Sequence, residues 1–186
     1  IDLTNVSFDS NAQMTFDGTD DWINVGQVDT LLGNTSVSVE FIADMSTALD
    51  SNDRKVFHYS KAGTSNGVFQ VRKGNNNSLL MYQYNSAGTW YTLNLTDAIT
   101  APDTFNHFVF THSGNEVKAY KNGEYVTNGI FAAGLDWADA DEMYIGYRGT
   151  SEYWKGDIPM IKVYSRALAA SEVKSNFNAI KGRFNI

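Results

Sequence analysis

Residues 153–184 read YWKGDIPMIKVYSRALAASEVKSNFNAIKGRF, and this stretch decides the fold. It opens on an aromatic pair, Tyr153 and Trp154, followed by Gly156. A strand-like run covers 158–164, and a short turn holds Ser165, Arg166, Ala167 and Leu168. One amphipathic helix then follows, in which Val173, Phe177 and Ile180 fall at i, i+4 and i+7, the spacing of a buried stripe. No other segment is as clearly helical. The stretch is read as the closing strand and the single helix of an otherwise all-β protein.

Upstream, strands and turns alternate. Residues 1–14 read as an irregular lead-in with one weak strand. Asp17-Gly18 is a turn signal before a strand at 22–25 that contains Trp22, Ile23 and Val25. In 36–43, Val37, Val39 and Phe41 share one parity while Ser38, Glu40 and Ile42 share the other. Four runs at 55–59, 68–73, 79–84 and 89–95 are separated by Gly, Asn and Ser, the pattern of antiparallel hairpins. The most apolar strand of the middle region is 105–111. Strand 116–121 turns through Asn122-Gly123 into 124–126, a type I′ hairpin signal, and 142–146 is the last strand before the closing stretch. About a dozen short strands without helices between them predict two packed antiparallel sheets, an all-β sandwich with one short C-terminal helix.

Composition agrees. Fifteen glycines and two prolines suit tight turns, and 13% aromatic residues supply area for a sheet-on-sheet core. With 186 residues the chain is expected to form a single domain over 1–186. The start at Ile1 is read as a sign of a fragment of a longer chain. There is no cysteine, hence no disulfide and no thiolate metal site. A net charge of −7 argues against nucleic acid and anionic membrane as partners, because both call for clustered Lys and Arg. No apolar run reaches the roughly 20 residues needed to span a bilayer as a helix.

Four segments together carry a resemblance: FDGTDDWINVG at 16–26, SVSVEFIA at 36–43, FNHFVFTHSGNEVKAYKNGEYV at 105–126 and WKGDIPMIKVYSRALAASEV at 154–173. In this order they resemble a laminin-G-like jelly roll of the concanavalin A-like lectin/glucanase superfamily. The resemblance implies two curved sheets of about six or seven strands each. It implies glycan or protein binding in many members and hydrolysis in some. Ala169 departs from the family pattern, where Ser or Thr often stands three residues before the helix Glu. The reciprocal cap with Glu172 is therefore expected to be lost, at about 1 kcal/mol. Gly156 is expected to allow close approach of a neighbouring strand. The ending EVKSNFNAIKGRFNI is similar to laminin-G-like modules at the ends of tailed-phage structural proteins, which implies a virion surface or another extracellular setting.

Catalytic signatures are scarce. The chain holds no Gly-x-Ser-x-Gly elbow, no cysteine nucleophile, no phosphate loop and no dinucleotide fingerprint. His107 and His112 lie five apart on one strand and point to opposite faces, while His58 stands alone, so structural histidines are expected. The paired acids of the superfamily's glucanases, Glu-x-Asp-x-Glu on a strand, are absent. Glu40 and Asp44 share parity but lie some 13 Å apart at about 3.3 Å per residue, too far for a hydrolytic pair. Asp17, Asp20 and Asp21, and again Asp136, Asp139, Asp141 and Glu142, crowd turns that either bind Ca2+ or cap their own backbone.

The remaining chemistry is recognition. Exposed aromatic rings stack on sugars, and Trp90, Trp137, Tyr147, Arg148 and Tyr153 are the candidate ligand-binding residues of a loop rim. Phe41, Phe108 and Phe110 are assigned to the core, with Trp22 and Trp154. The leading expectation is a non-catalytic, surface-displayed module that binds a glycan or another virion or surface protein. The alternative is a structural decoration or fibre domain, with homo-oligomers as one form, and the third is a glycoside hydrolase.

Overall fold

The computed structural model describes residues 2–8, 13–27, 36–44, 53–61, 67–74, 78–84, 89–96, 98–99, 104–131, 140–147 and 152–186. In chain order the strands are β1 (Asp2–Thr4), β2 (Ser7–Phe8), β3 (Met14–Asp17), β4 (Trp22–Gly26), β5 (Ser36–Ala43), β6 (Arg54–Lys61), β7 (Gly67–Lys73) and β8 (Leu79–Tyr84). They continue with β9 (Trp90–Leu95), β10 (Asn106–Ser113), β11 (Glu116–Lys121), β12 (Glu124–Ile130), β13 (Ala140–Ile145), β14 (Lys155–Asp157) and β15 (Met160–Tyr164), before helix α1 (Ala170–Phe184). A seven-stranded antiparallel sheet runs β1-β4-β13-β6-β7-β8-β9, and a five-stranded one runs β12-β11-β10-β5-β15. A small third sheet, β14-β3-β2, adds to them.

Alternation along each strand builds the core. Val37, Val39 and Phe41 of β5 and Phe108 and Phe110 of β10 face Phe57, Phe69, Val71, Leu79, Met81 and Ile145 of the larger sheet, all of them buried. Trp154 is fully buried among them, as its sequence context implies. His107 and His112 are both buried and do point opposite ways: His107 packs beside Phe177 of the helix, and His112 beside Phe131 of the core.

The closing stretch departs from a simple strand and helix. The run at 158–164 is broken at Pro159, which has no N–H to give a sheet ladder. The segment before the break, β14, joins the small sheet through Gly156 opposite Phe16, and only β15 completes the five-stranded sheet against β5. Gly156 sits at φ +128, a backbone conformation that glycine favours. The lead-in likewise contains two short strands rather than one.

Helix α1 covers the outer face of the five-stranded sheet. Val173, Phe177 and Phe184 are its buried residues, whereas Ile180 is only half-buried, so the stripe ends one turn later than the sequence pattern suggests. Half of the cap survives at Ala169. The Glu172 carboxylate accepts the Ala169 N–H at 2.8 Å and is gripped by both Nη atoms of Arg166 at 2.8 and 2.6 Å. Ala169 offers no side-chain oxygen, so only the reverse half of the box is missing.

Glu40 anchors this helix. It is fully buried on the helix side of β5 and cannot be left unpaired there. Tyr164 donates its hydroxyl to Glu40 at 2.5 Å, Asn176 of the helix donates at 2.8 Å, and the His107 Nε2 lies 3.1 Å away. The Lys162 ammonium stands 3.7 Å off. Burial alone would raise the carboxyl pKa, but the His107 and Tyr164 contacts and the Lys162 charge outweigh it and hold Glu40 at about 2. Tyr164 is pushed well up, first by burial and then by the carboxylate it serves.

The Asn122-Gly123 turn supports the same helix. Both residues have positive φ, +51 and +78, as a type I′ hairpin requires. The Asn122 side chain accepts the His107 N–H at 2.9 Å and donates to Asn106 at 3.1 Å. A methyl group at Gly123 would lie 2.8 Å from the Phe177 ring.

Two measurements follow from helix docking. Gly123→Ala is expected to destabilise the protein by about 1–3 kcal/mol more than Gly114→Ala in urea unfolding, because Gly114 also has positive φ but would meet nothing within 4 Å. Equal costs would mean that Phe177 does not press on the turn. For Glu40 the depressed pKa stabilises the fold above the ordinary carboxyl range, and the contribution of about 3 kcal/mol is lost as pH falls from about 4.5 to about 2. Glu40→Gln should lower stability at pH 7 and flatten its decline below pH 5; an unchanged acid slope would refute the assignment.

Candidate functional site

The inner faces of the two sheets bury each other and α1 covers the outside of the smaller one, which leaves the outside of the seven-stranded sheet as the face without a helix over it among the described residues. Its side chains are the outward half of each alternation. Asn24, Tyr144, His58, Gln70, Tyr82 and Thr92 stand opposite one another on β4, β13, β6, β7, β8 and β9 and form one row across the sheet.

At the β7–β9 end this row opens into a hollow of about 340 Å³ lined by Gln70, Arg72, Tyr82 and Trp90. Trp90 packs edge-on to Tyr82, with centroids 5.9 Å apart at 87°, and lies 4.6 Å from Tyr84. The Arg72 guanidinium lies 4.3 Å from the centroid of the Tyr82 ring and donates from Nη2 to its hydroxyl at 2.6 Å. Its Nη1 is 2.9 Å from Asp53 and 3.7 Å from Glu152. Glu152 also holds the fully buried Lys55 ammonium at 3.1 Å. Two polar atoms are left over: the buried Gln70 Oε1 and Arg72 Nε have no hydrogen-bond partner. Gln70 is only 2% exposed, so its amide oxygen loses water without gaining a protein donor.

The segment 152–154 borders this hollow. Glu152 has φ +69, an uncommon left-handed conformation for a non-glycine residue. Its carbonyl accepts the Lys55 N–H at 2.8 Å, Tyr153 accepts Arg54 Nη1 at 2.8 Å, and Trp154 donates to Gly146 at 2.9 Å. These bonds override the local preference and turn the Glu152 side chain to Arg72 and Lys55 while Tyr153 stacks on Tyr147, 5.2 Å away. Tyr147 in turn stacks on Trp22 at 5.3 Å and meets Tyr144 edge-on at 5.5 Å. Burial raises the Tyr147 pKa, with the neighbouring Tyr153 adding to it.

The sequence candidates therefore divide. Trp90 lines the hollow, from the first position of β9 rather than from a loop. Tyr147 and Tyr153 sit in a second, half-buried aromatic cluster over β4 and β13. Trp137 and Arg148 lie outside the described residues. Trp22 corrects its assignment: it is half-buried in that outer cluster and not in the core, because its parity is opposite to that of Ile23. Gln70, Arg72 and Tyr82 were missed. Their signal is the outward parity of GVFQVRK and LLMYQY, where Gln70, Arg72, Tyr82 and Tyr84 alternate with the inward Phe69, Val71 and Met81.

Glu40 and Asp44 do not act as a pair. Glu40 lies under α1, and Asp44 accepts the Asp157 N–H at 2.9 Å beside β14. Asp17, Asp20 and Asp21 bring ligand oxygens within 4.8 Å of one another. Two of those carboxylates already serve the turn: Asp17 accepts the Thr19 N–H at 2.6 Å, and Asp21 accepts the Asp17 N–H at 2.5 Å. Burial raises the Asp21 pKa and the neighbouring acids add to it. Of the second acidic run, the Glu142 carboxylate accepts the Tyr144 hydroxyl, and Asp136 and Asp139 lie outside the described residues.

Residues 17–174 match the family described as the concanavalin A-like lectin/glucanases superfamily. Among solved structures, the receptor binding domain of botulinum neurotoxin mosaic serotype C/D aligns with TM-score 0.78 and 15% identity, over 96% of this chain and 45% of that one. The botulinum neurotoxin serotype D binding domain gives 0.74 and 14%, over 96% and 46%. The NanB sialidase from Streptococcus pneumoniae gives 0.69 and 19%, over 87% and 26%. The chain thus spans less than half the length of each, and the likeness is one of fold. A comparison with curated protein sequences finds no match. The expected likeness to tailed-phage modules rests on the closing segment alone.

Proposed function

Because this chain belongs to the concanavalin A-like lectin/glucanases superfamily, we propose that it is a non-catalytic recognition module that takes a glycan on the open face of its seven-stranded sheet. One observation carries the reading: a preformed hollow with two aromatic walls, Tyr82 and Trp90, and two unpartnered buried polar atoms, Gln70 Oε1 and Arg72 Nε. A sugar offers C–H faces to aromatic rings and hydroxyls that both donate and accept, which is what these groups lack. The similar botulinum neurotoxin structures are, by name, receptor-binding domains, in keeping with a binding role.

Recognition is favoured over turnover by where the acids are spent. Hydrolysis needs two carboxylates that divide the roles of proton donor and of nucleophile or base. Glu40 is committed to the helix, and Asp53 and Glu152 beside the hollow are ion-paired to Arg72 and Lys55. A virion or other extracellular surface is the setting we assign, on the closing segment's likeness to tailed-phage modules. A second reading, a structural domain whose partner is another coat protein or its own copies, is favoured by β12, the edge strand of its sheet among the described residues. There Tyr125, Val126 and Ile130 are 54%, 46% and 68% exposed.

Titration against an oligosaccharide array separates the two. The glycan reading expects saturable binding that falls about tenfold in Trp90→Ala, with the melting temperature unchanged because Trp90 is 39% exposed. Absence of binding across the array, together with an oligomer that Ile130→Asp dissociates, would replace it with the structural reading.

A further inference from the structure

The charges around the hollow say which sugars it accepts. Arg72 looks at first like an anion receptor, yet its charge is already spent. Nη1 carries Asp53 at 2.9 Å and Glu152 at 3.7 Å, and Nη2 is engaged by the Tyr82 hydroxyl at 2.6 Å. Lys55, a second cation nearby, has no exposed side-chain surface and is held by Glu152 at 3.1 Å. Among the described residues, two cations and two carboxylates leave the site close to neutral. What remains unsatisfied is a matched set: an acceptor, Gln70 Oε1, and a donor, Arg72 Nε, beside the Tyr82 and Trp90 rings.

Building on the glycan reading above, we infer that the hollow selects neutral sugars over acidic ones, and that Glu152 and Asp53 are the residues that impose this selectivity by neutralising Arg72. A neutral hydroxyl both donates and accepts, so hydroxyls match an acceptor such as Gln70 Oε1 and a donor such as Arg72 Nε. A carboxylate only accepts. Placed at Arg72 it cannot donate to Gln70 Oε1 as a hydroxyl would, and it meets the negative charge of Asp53 and Glu152, 2.9 and 3.7 Å from the same guanidinium. The chain's net charge of −7 adds a long-range repulsion. The left-handed backbone at Glu152 is consistent with the role: strain of this kind persists where surrounding bonds hold a side chain in a set position, here by the Lys55 and Arg54 contacts to 152–153.

Calorimetric titration at low salt tests this with neutral probes (cellotriose, mannotriose, lactose) and acidic ones of similar size (trigalacturonate, 3′-sialyllactose). Wild type should favour the neutral set by at least about tenfold, and Glu152→Gln should narrow or reverse that ratio by about tenfold. Asp53→Asn, whose parent side chain is 32% exposed, should shift it the same way and guards against misfolding from the loss of the buried Lys55 partner. Preference for acidic probes in wild type, or a ratio unchanged in both variants, overturns the selectivity while leaving glycan binding in place. Binding of neither class overturns the glycan reading as well.

Discussion

Two packed sheets present four faces, and among the described residues one helix is there to cover them. The two inner faces bury each other through Val39, Phe41, Phe110, Phe57, Phe69 and Met81. Helix α1 closes the outside of the five-stranded sheet. Among the described residues no helix covers the outside of the seven-stranded sheet, and it carries aromatic and polar residues, half-buried at Tyr82 and Tyr144 and buried at His58 and Gln70. The asymmetry explains why β5 is buried along nearly its whole length, whereas β8 alternates between buried and half-buried positions.

Helix docking on a polar surface has a cost that the chain meets with hydrogen bonds. Ser38, Glu40 and His107 lie beneath α1 with no exposed surface. The Ser38 hydroxyl donates to the Arg166 carbonyl and accepts the Leu168 N–H, both at 2.9 Å, which pins the turn into the helix. Glu40 reaches the helix itself through Asn176. Glu40, the strand acid that a search for a glycosidase would select first, is thus an architectural residue. A buried charge with three hydrogen-bonding neighbours is a strong constraint on geometry but weak evidence of catalysis.

The open face works differently. Its polar groups are partly satisfied by one another, while Gln70 Oε1 and Arg72 Nε beside the hollow have no hydrogen-bond partner. A set of this kind, walled by aromatic rings, suits a ligand that supplies the missing bonds. Much of this face was obscured in the sequence. Trp90 stood out because a large aromatic residue followed a run of turn formers. Gln70 and Arg72 did not, since an outward polar residue on an alternating strand is the ordinary pattern of any half-exposed sheet. Nor did Glu152 draw notice, because its importance comes from a backbone conformation and from two cations on β6 and β7, far away in sequence.

The all-β class, the hairpin at Asn122-Gly123, the closing strand with its helix and the opposite facing of His107 and His112 were determined by the sequence alone. Each depends on local periodicity or on turn chemistry, which short-range order carries. Tertiary structure decided which sheet face the helix would cover, that Pro159 would divide the closing stretch between two sheets, and that Glu40 would serve the helix. It also decided that Gln70, Arg72, Tyr82 and Trp90 would meet, since period two tells which residues share a face but not what lies above it. That second question is answered only by the packing of layers, and here the answer left one face open.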